Sequence, residues 1–249
     1  MRASAIALVA LAVACHRSSG DDSRRVYPQE GIWQGSMVAP GSGATTSATL
    51  IVEPGGSAYL VPVDGNGEPL SDVELWGRLL VAGDVVSGWL GHSDSWGSTA
   101  LDVTGRVVAR ASLQLELHDP VNPGSFYDGF AIGVGFDATW DRNSALARVA
   151  GGWTDGSMTL AVAADGSFEG SDSAGDRFYG SLRPGVADVD LYWFDIEAYY
   201  TGEYYSWYFQ GIAIQLDRGS PDGALLFTTR GSQYGWLGAS AYWSGLLTR

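Results

Sequence analysis

Apolar and polar residues alternate with a period of two over much of this chain, the pattern of half-buried β-strands. From Arg106 to His118, Val107, Ala109, Ala111, Leu113, Leu115 and Leu117 fall on one face. Arg106, Arg110, Gln114 and Glu116 share the other face with Val108 and Ser112, so the run predicts one long strand with a wet side. Further strands are expected over residues 46–52, 57–62, 73–81, 85–90, 130–136, 224–229 and 240–247. Ile212, Ile214 and Leu216 alternate cleanly as well. Residues 144–150 suit a short helical connector.

Residues 157–182, SMTLAVAADGSFEGSDSAGDRFYGSL, are the most patterned stretch. Asp165-Gly166 and Gly175-Asp176 supply turns between short apolar strands, because primed hairpin turns need residues that tolerate positive φ. A related stretch lies earlier: Ser47, Thr49, Leu50, Val52, Gly56 and Ser57 match Ser157, Thr159, Leu160, Val162, Gly166 and Ser167. One meander unit is therefore expected to occur twice. The shared residues are turn and core residues, so the motif identifies a fold and not a working site.

Composition supports this picture and excludes some functions. The 249 residues are 45% hydrophobic and 12% aromatic, with 35 glycines scattered between short apolar runs, which suits a turn-rich all-β chain. All 14 basic residues are arginine against 28 acids, for a formal charge of −14. Without a basic face to neutralise phosphates, nucleic acid is not an expected partner.

Arg2 precedes an apolar run over residues 3–14 that is too short to span a bilayer, which takes roughly 20 residues. A basic start, a short apolar core and small residues predict a secretory signal over residues 1–14. Cys15, the only cysteine, follows directly and has no intramolecular partner. Leu11-Ala-Val-Ala-Cys15 resembles the lipobox of bacterial lipoproteins, although Ala12 stands where leucine is usual. That resemblance implies cleavage between Ala14 and Cys15, lipidation of Cys15 and, with His16 following, the outer membrane. Several acyl chains at about 0.8 kcal/mol per buried methylene make a stable anchor. Cleavage removes Arg2 and no acid, so the formal charge of −14 becomes −15. Residues 15–30 are polar and predict a flexible tether.

Candidate chemistry is sparse. Asp64-Gly-Asn-Gly-Glu68 has the acidic spacing of a calcium loop. However, Pro69 stands at the position where an EF-hand needs glycine and Leu75 where it needs a bidentate acid, so a plain turn is expected. In Gly91-His-Ser-Asp-Ser95, Ser95 replaces the second glycine of a nucleophile elbow, so residues 91–95 are expected as an exposed loop between Trp89 and Trp96. No metal-ligand spacing or phosphate loop stands out, and no cofactor is expected.

The run 136–182 carries, in order, Phe136-Asp-Ala-Thr-Trp140-Asp141, a small-residue connector, Gly151-Gly-Trp153, the Asp165-Gly166 hairpin and Phe178-Tyr-Gly180. This order resembles the middle of a group of uncharacterised bacterial envelope lipoproteins, in which two lipocalin-like β units follow a lipobox. It covers about half the chain; the rest matches only in the spacing of strands. Members often carry a cysteine near the position of Asp176, and this chain has none there. The resemblance brings no catalytic residues with it.

The most aromatic region runs from 188 to 217, and Thr201-Gly202 predicts a hairpin at its centre. Alternation sends half of its rings outward, and the candidate binding surface is Tyr192, Trp193, Tyr199, Tyr200, Tyr204, Tyr205, Trp207 and Tyr208. The same rings could instead line a barrel core or pair across strands.

The fold expected is all-β and antiparallel, either two tandem lipocalin-like barrels over 31–145 and 146–249 or one pseudo-repeated double unit. The function expected is that of a non-enzymatic, lipid-anchored envelope protein. It would bind a small apolar or carbohydrate ligand or an envelope protein through a barrel mouth or the aromatic hairpin, or support the envelope structurally. Two alternatives are an envelope hydrolase using His92 or His118, and a barrel embedded in the outer membrane.

Overall fold

The computed structural model describes residues 27–249 except 67, 71–73, 95–96, 187, 204–205, 219 and 234–239. The expected signal, Cys15 and most of the expected tether lie outside the described residues, as do Tyr204 and Tyr205. Among the described residues sixteen strands form two closed antiparallel barrels in tandem. The first comprises β1 (Gly31–Val38), β2 (Thr45–Val52), β3 (Ser57–Val63), β4 (Leu75–Ala82), β5 (Val85–Asp94), β6 (Gly97–Val108), β7 (Ser112–His118) and β8 (Ala131–Asp137). The second comprises β9 (Gly151–Thr154), β10 (Met158–Val162), β11 (Ser167–Asp172), β12 (Arg177–Pro184), β13 (Tyr192–Tyr199), β14 (Trp207–Arg218), β15 (Ser220–Gln233) and β16 (Ser240–Thr248). Within each barrel every strand pairs with the next in sequence. β8 closes on β1 from Ile32–Asp137 to Val38–Ala131, whereas β16 closes on β9 at Thr248–Thr154. A 3₁₀ turn (Ala138–Asp141) and the short helix α1 (Leu146–Val149) join the barrels, with α1 inside the expected connector.

Both interiors are filled by side chains, as expected for eight strands. Trp33, Leu50, Leu60, Leu79, Leu101 and Leu113 belong to the first core; Trp153, Phe168, Phe194, Phe209 and Phe227 to the second. The barrels share one device at their first strand. Trp33 Nε1 donates to Gln29 O at 2.9 Å and Trp153 Nε1 to Val149 O at 2.7 Å, each reaching four residues back. A buried indole needs such a partner, and here it also fixes how the chain enters the barrel.

The matched hairpins have the same hydrogen bonds. Glu53 N donates to Ser57 O, Gly56 N to Glu53 O and Leu79 N to Gly56 O. Ala163 N donates to Ser167 O, Gly166 N to Ala163 O and Leu182 N to Gly166 O. Gly166 has φ +85°, and a Cβ there would stand 2.2 Å from Leu182 O. Gly166→Ala is therefore expected to cost about 2 kcal/mol or more, read as a lowered urea midpoint. An unchanged midpoint would show that the turn relaxes freely.

Two sequence expectations are corrected. The run 106–118 is not one strand: it turns at residues 109–111 between β6 and β7, with Arg110 at φ +54°. The turn conserves the inward parity of the apolar residues, so the periodicity passes through it without a break. Residues 91–94 are not a loop, because β5 continues to Asp94. Ile212, Ile214 and Leu216 do share one face of β14, but residues 212–216 are buried on both faces.

That double burial comes from the packing of one barrel against the other. Ile32, Ile51, Val61 and Val63 point out of the first barrel and Ile212, Ile214, Leu226 and Leu246 out of the second. They form one shared core with Trp140 from the connector. Polar contacts surround it: the Glu74 carboxylate accepts from Thr228 and Ser244 hydroxyls, and Arg230 stacks 4.8 Å over Trp76. Arg218 also donates to Asn66 O.

Candidate functional site

Alternation along β13 and β14 sorts the aromatic region into two sets. Tyr192 faces inward and is buried, with its phenol 3.1 Å from Ala145 O and 3.3 Å from Gln215 Oε1. Burial raises its pKa, and Asp190 nearby raises it further. Tyr192 is thus part of the interior and not of a surface. Tyr200 and Trp207 are partly buried against the same core.

The outward set is different. Trp193 is 36% exposed, Tyr199 47% and Tyr208 36%, and Tyr179 on β12, which the sequence did not single out, is 40% exposed. Register places them on one outer wall. Tyr179 stands opposite Glu197, which stands opposite Tyr208; Ser181 stands opposite Asp195, which stands opposite Gln210; and Arg183 stands opposite Trp193. Polar groups between the rings are tied together. Asp195 pairs with Arg183 and accepts from Gln210 Nε2 at 3.0 Å, while Glu197 Oε1 accepts from Ser206 Oγ at 2.7 Å. Tyr179 and Tyr199 meet edge to face at 5.9 Å. The hydrogen bond to Glu197 raises the Tyr199 pKa.

A groove of about 810 Å³ continues this wall toward β9–β11. Gly152, Ala161 and Gly170 are among its small residues, and Glu169, Arg177 and Tyr179 also line it. Tyr179 belongs both to the groove and to the aromatic wall.

His92 and His118 lie in the first barrel. His92 Nδ1 is 3.3 Å from Glu74 O and its ring packs against Tyr127 at 5.2 Å. His118 Nε2 lies 3.5 Å from Thr104 Oγ1 and 3.9 Å from Glu116 Oε2. Both contacts of His118 are made by the same nitrogen, whereas a triad needs the acid on one ring nitrogen and the nucleophile on the other. Among the described residues no group of three or more His, Cys, Asp or Glu is placed to hold a metal ion. Asp64 Oδ1 accepts from the backbone N–H of Asn66 at 2.7 Å and of Glu68 at 2.9 Å, so the calcium-like segment is an Asx turn.

Acids meet arginines where the connector packs on the second barrel. Asp190 is fully buried, and desolvation raises its pKa to about 7 against the opposing pull of Arg148, whose Nη2 is 3.6 Å away. Arg148 Nε donates to Asp222 Oδ2 at 3.1 Å, and Arg142 donates to Asp217 at 2.6 Å and Asp222 at 3.0 Å. The Arg142 hydrogen bond holds Asp217 down at about 2. Burial raises the Glu74 pKa, partly opposed by the Ser244 and Thr228 hydroxyls. Glu74 ties one barrel to the other, while Arg142 and Arg148 tie the connector to the second barrel, which accounts for these groups structurally.

No family model matches the chain, nor does any curated protein or solved structure.

Proposed function

We propose that this chain is a lipid-anchored bacterial envelope protein, non-enzymatic, whose working surface is the outer aromatic wall of the second barrel. The observation that carries this reading is the contrast between filled interiors and exposed rings. A lipocalin-style calyx requires unfilled space, and the side chains of both cores occupy it. Rings left in water on one wall are instead what a binding surface uses. The outer walls also carry charges, such as Arg78, Asp102, Arg106 and Glu116 on the first barrel, while the interiors are apolar. A membrane-embedded barrel has the reverse arrangement, which favours a domain held outside the bilayer by its anchor.

In this reading Cys15 holds the protein at the outer membrane and the polar tether separates the barrels from it. Cys15→Ala is expected to move the protein from the membrane to the soluble fraction; continued partitioning with membranes would overturn the anchor. A photoreactive residue at position 208 should crosslink a specific component of native membranes. The same probe at position 80, an exposed site on the first barrel, should not. Identical products from both positions would count against the wall as the working surface.

A further inference from the structure

Resting on the wall being the working surface, we propose that it binds a neutral oligosaccharide, with sugar rings seated on Tyr179, Trp193 and Tyr208 and their hydroxyls met by the planar groups between. The spacing is the first argument. Tyr179 and Tyr208 flank Glu197 in one cross-strand row, so they stand two strand separations, about 10 Å, apart with a carboxylate between them. The next row is Ser181, Asp195 and Gln210, and beyond it stands Trp193 beside Arg183. Hydrogen-bonding groups thus stand between the apolar faces of Tyr179, Tyr208 and Trp193. A pyranose has the complementary form: a flat C–H face with a rim of hydroxyls.

Charge narrows the choice. A protein–protein interface is depleted of charge at its centre, whereas this wall carries Asp195 and Glu197 there. Glu169, Asp195 and Glu197 repel nucleic acid and anionic lipid, in a chain already strongly acidic. Arg183 is paired to Asp195, so the wall offers no unpaired cation at that point for an anion. A neutral ligand fits this internal compensation.

Preorganisation is the third argument. Asp195 is held by Arg183 and by Gln210, whose Nε2 also lies 3.0 Å from the Tyr208 phenol. Groups already fixed lose little entropy when a ligand arrives. The groove past Tyr179, with Gly152, Ala161 and Gly170 along it, continues the site and gives room for more than one sugar ring.

Tryptophan fluorescence and calorimetric titration would test this with soluble β-1,4-linked glucose and N-acetylglucosamine oligomers, beside a proline-rich peptide and anionic phospholipid vesicles. The protein is expected to bind an oligosaccharide saturably. Trp193→Ala and Tyr208→Ala should each weaken binding tenfold or more at unchanged Tm, and Trp89→Ala on the first barrel should not. Oligosaccharide binding that survives both wall substitutions would overturn the site. Peptide or vesicle binding lost in the same variants would overturn the sugar class and leave the wall as the working surface. No binding of any probe would overturn the proposal, and membrane crosslinking at position 208 would then decide whether the wall itself survives.

Discussion

Truncating Trp140 to alanine is expected to destabilise the protein by about 3–5 kcal/mol, the range for emptying a large aromatic site in a core. Trp140 lies on the connector and is 1% exposed, packed in the apolar cluster to which both barrels contribute. Its carbonyl also accepts from Asp190 N at 3.0 Å, so the ring and backbone together fix the path of the second barrel. Collapse around the cavity is opposed by two rigid sheets, which keeps the cost near the upper end. The measurement is chemical unfolding, followed by tryptophan fluorescence and far-UV circular dichroism. A loss below 1 kcal/mol would mean that the barrels are held together mainly by other contacts. Separation of one transition into two would show that the shared core couples their unfolding.

The second large effect is electrostatic and depends on pH. Arg148→Met is expected to cost about 2–3 kcal/mol near pH 8, because Asp190 loses its counter-ion and has to take up a proton, and Asp222 loses a hydrogen bond. The sign follows from proton linkage. Asp190 in the folded protein has its pKa raised from 3.8 to about 7, so the native state holds a proton that the unfolded chain releases. Its contribution becomes less favourable as pH rises from about 4 to about 7 and is constant above that. Without Arg148 the folded pKa rises further, so the window in which stability falls extends above pH 7.

Asp222 works in the opposite sense. The Arg148 hydrogen bond lowers its pKa, so that stabilisation is present above its ordinary value of 3.8 and is lost as pH falls through the folded pKa. The substitution removes that contribution too, although Arg142 remains 3.0 Å from Asp222. Asp190→Asn in the Arg148→Met background should recover the part belonging to Asp190, and the four stabilities give a double-mutant cycle. Asp190→Asn alone should stabilise the protein at pH 8 and change little near pH 4. Equal effects of Arg148→Met at pH 4 and pH 8 would rule out this account of the joint.

Residues 157–182 show how far local chemistry carries. Asp165-Gly166 and Gly175-Asp176 locate turns because backbone conformation requires them, and both turns are present. The matched hairpins at 47–57 and 157–167 share hydrogen bonds because the same turn residues occur at the same offsets. The single strand expected over 106–118 failed for a related reason. Alternation records which side of a sheet a residue faces, and a three-residue turn at 109–111 preserves that parity. The aromatic surface was legible only in part. Tyr192 and Trp193 are neighbours in sequence, and only the direction of the strand decides that the first is interior and the second exposed. Tyr179 was missed because it lies outside the aromatic run and reaches the wall through the pairing of β12 with β13.

What the sequence determined by itself is the all-β class, the tandem arrangement and most strand positions, since turn residues and period-two patterning act over a few neighbouring residues. The tertiary structure decided that both barrel interiors are filled and that Ile32, Ile51, Ile212 and Ile214 meet across a shared core. It also decided which rings stand together in water on one wall. These depend on contacts between strands far apart in the chain, and alternation along one strand carries no information about what packs against its outer face.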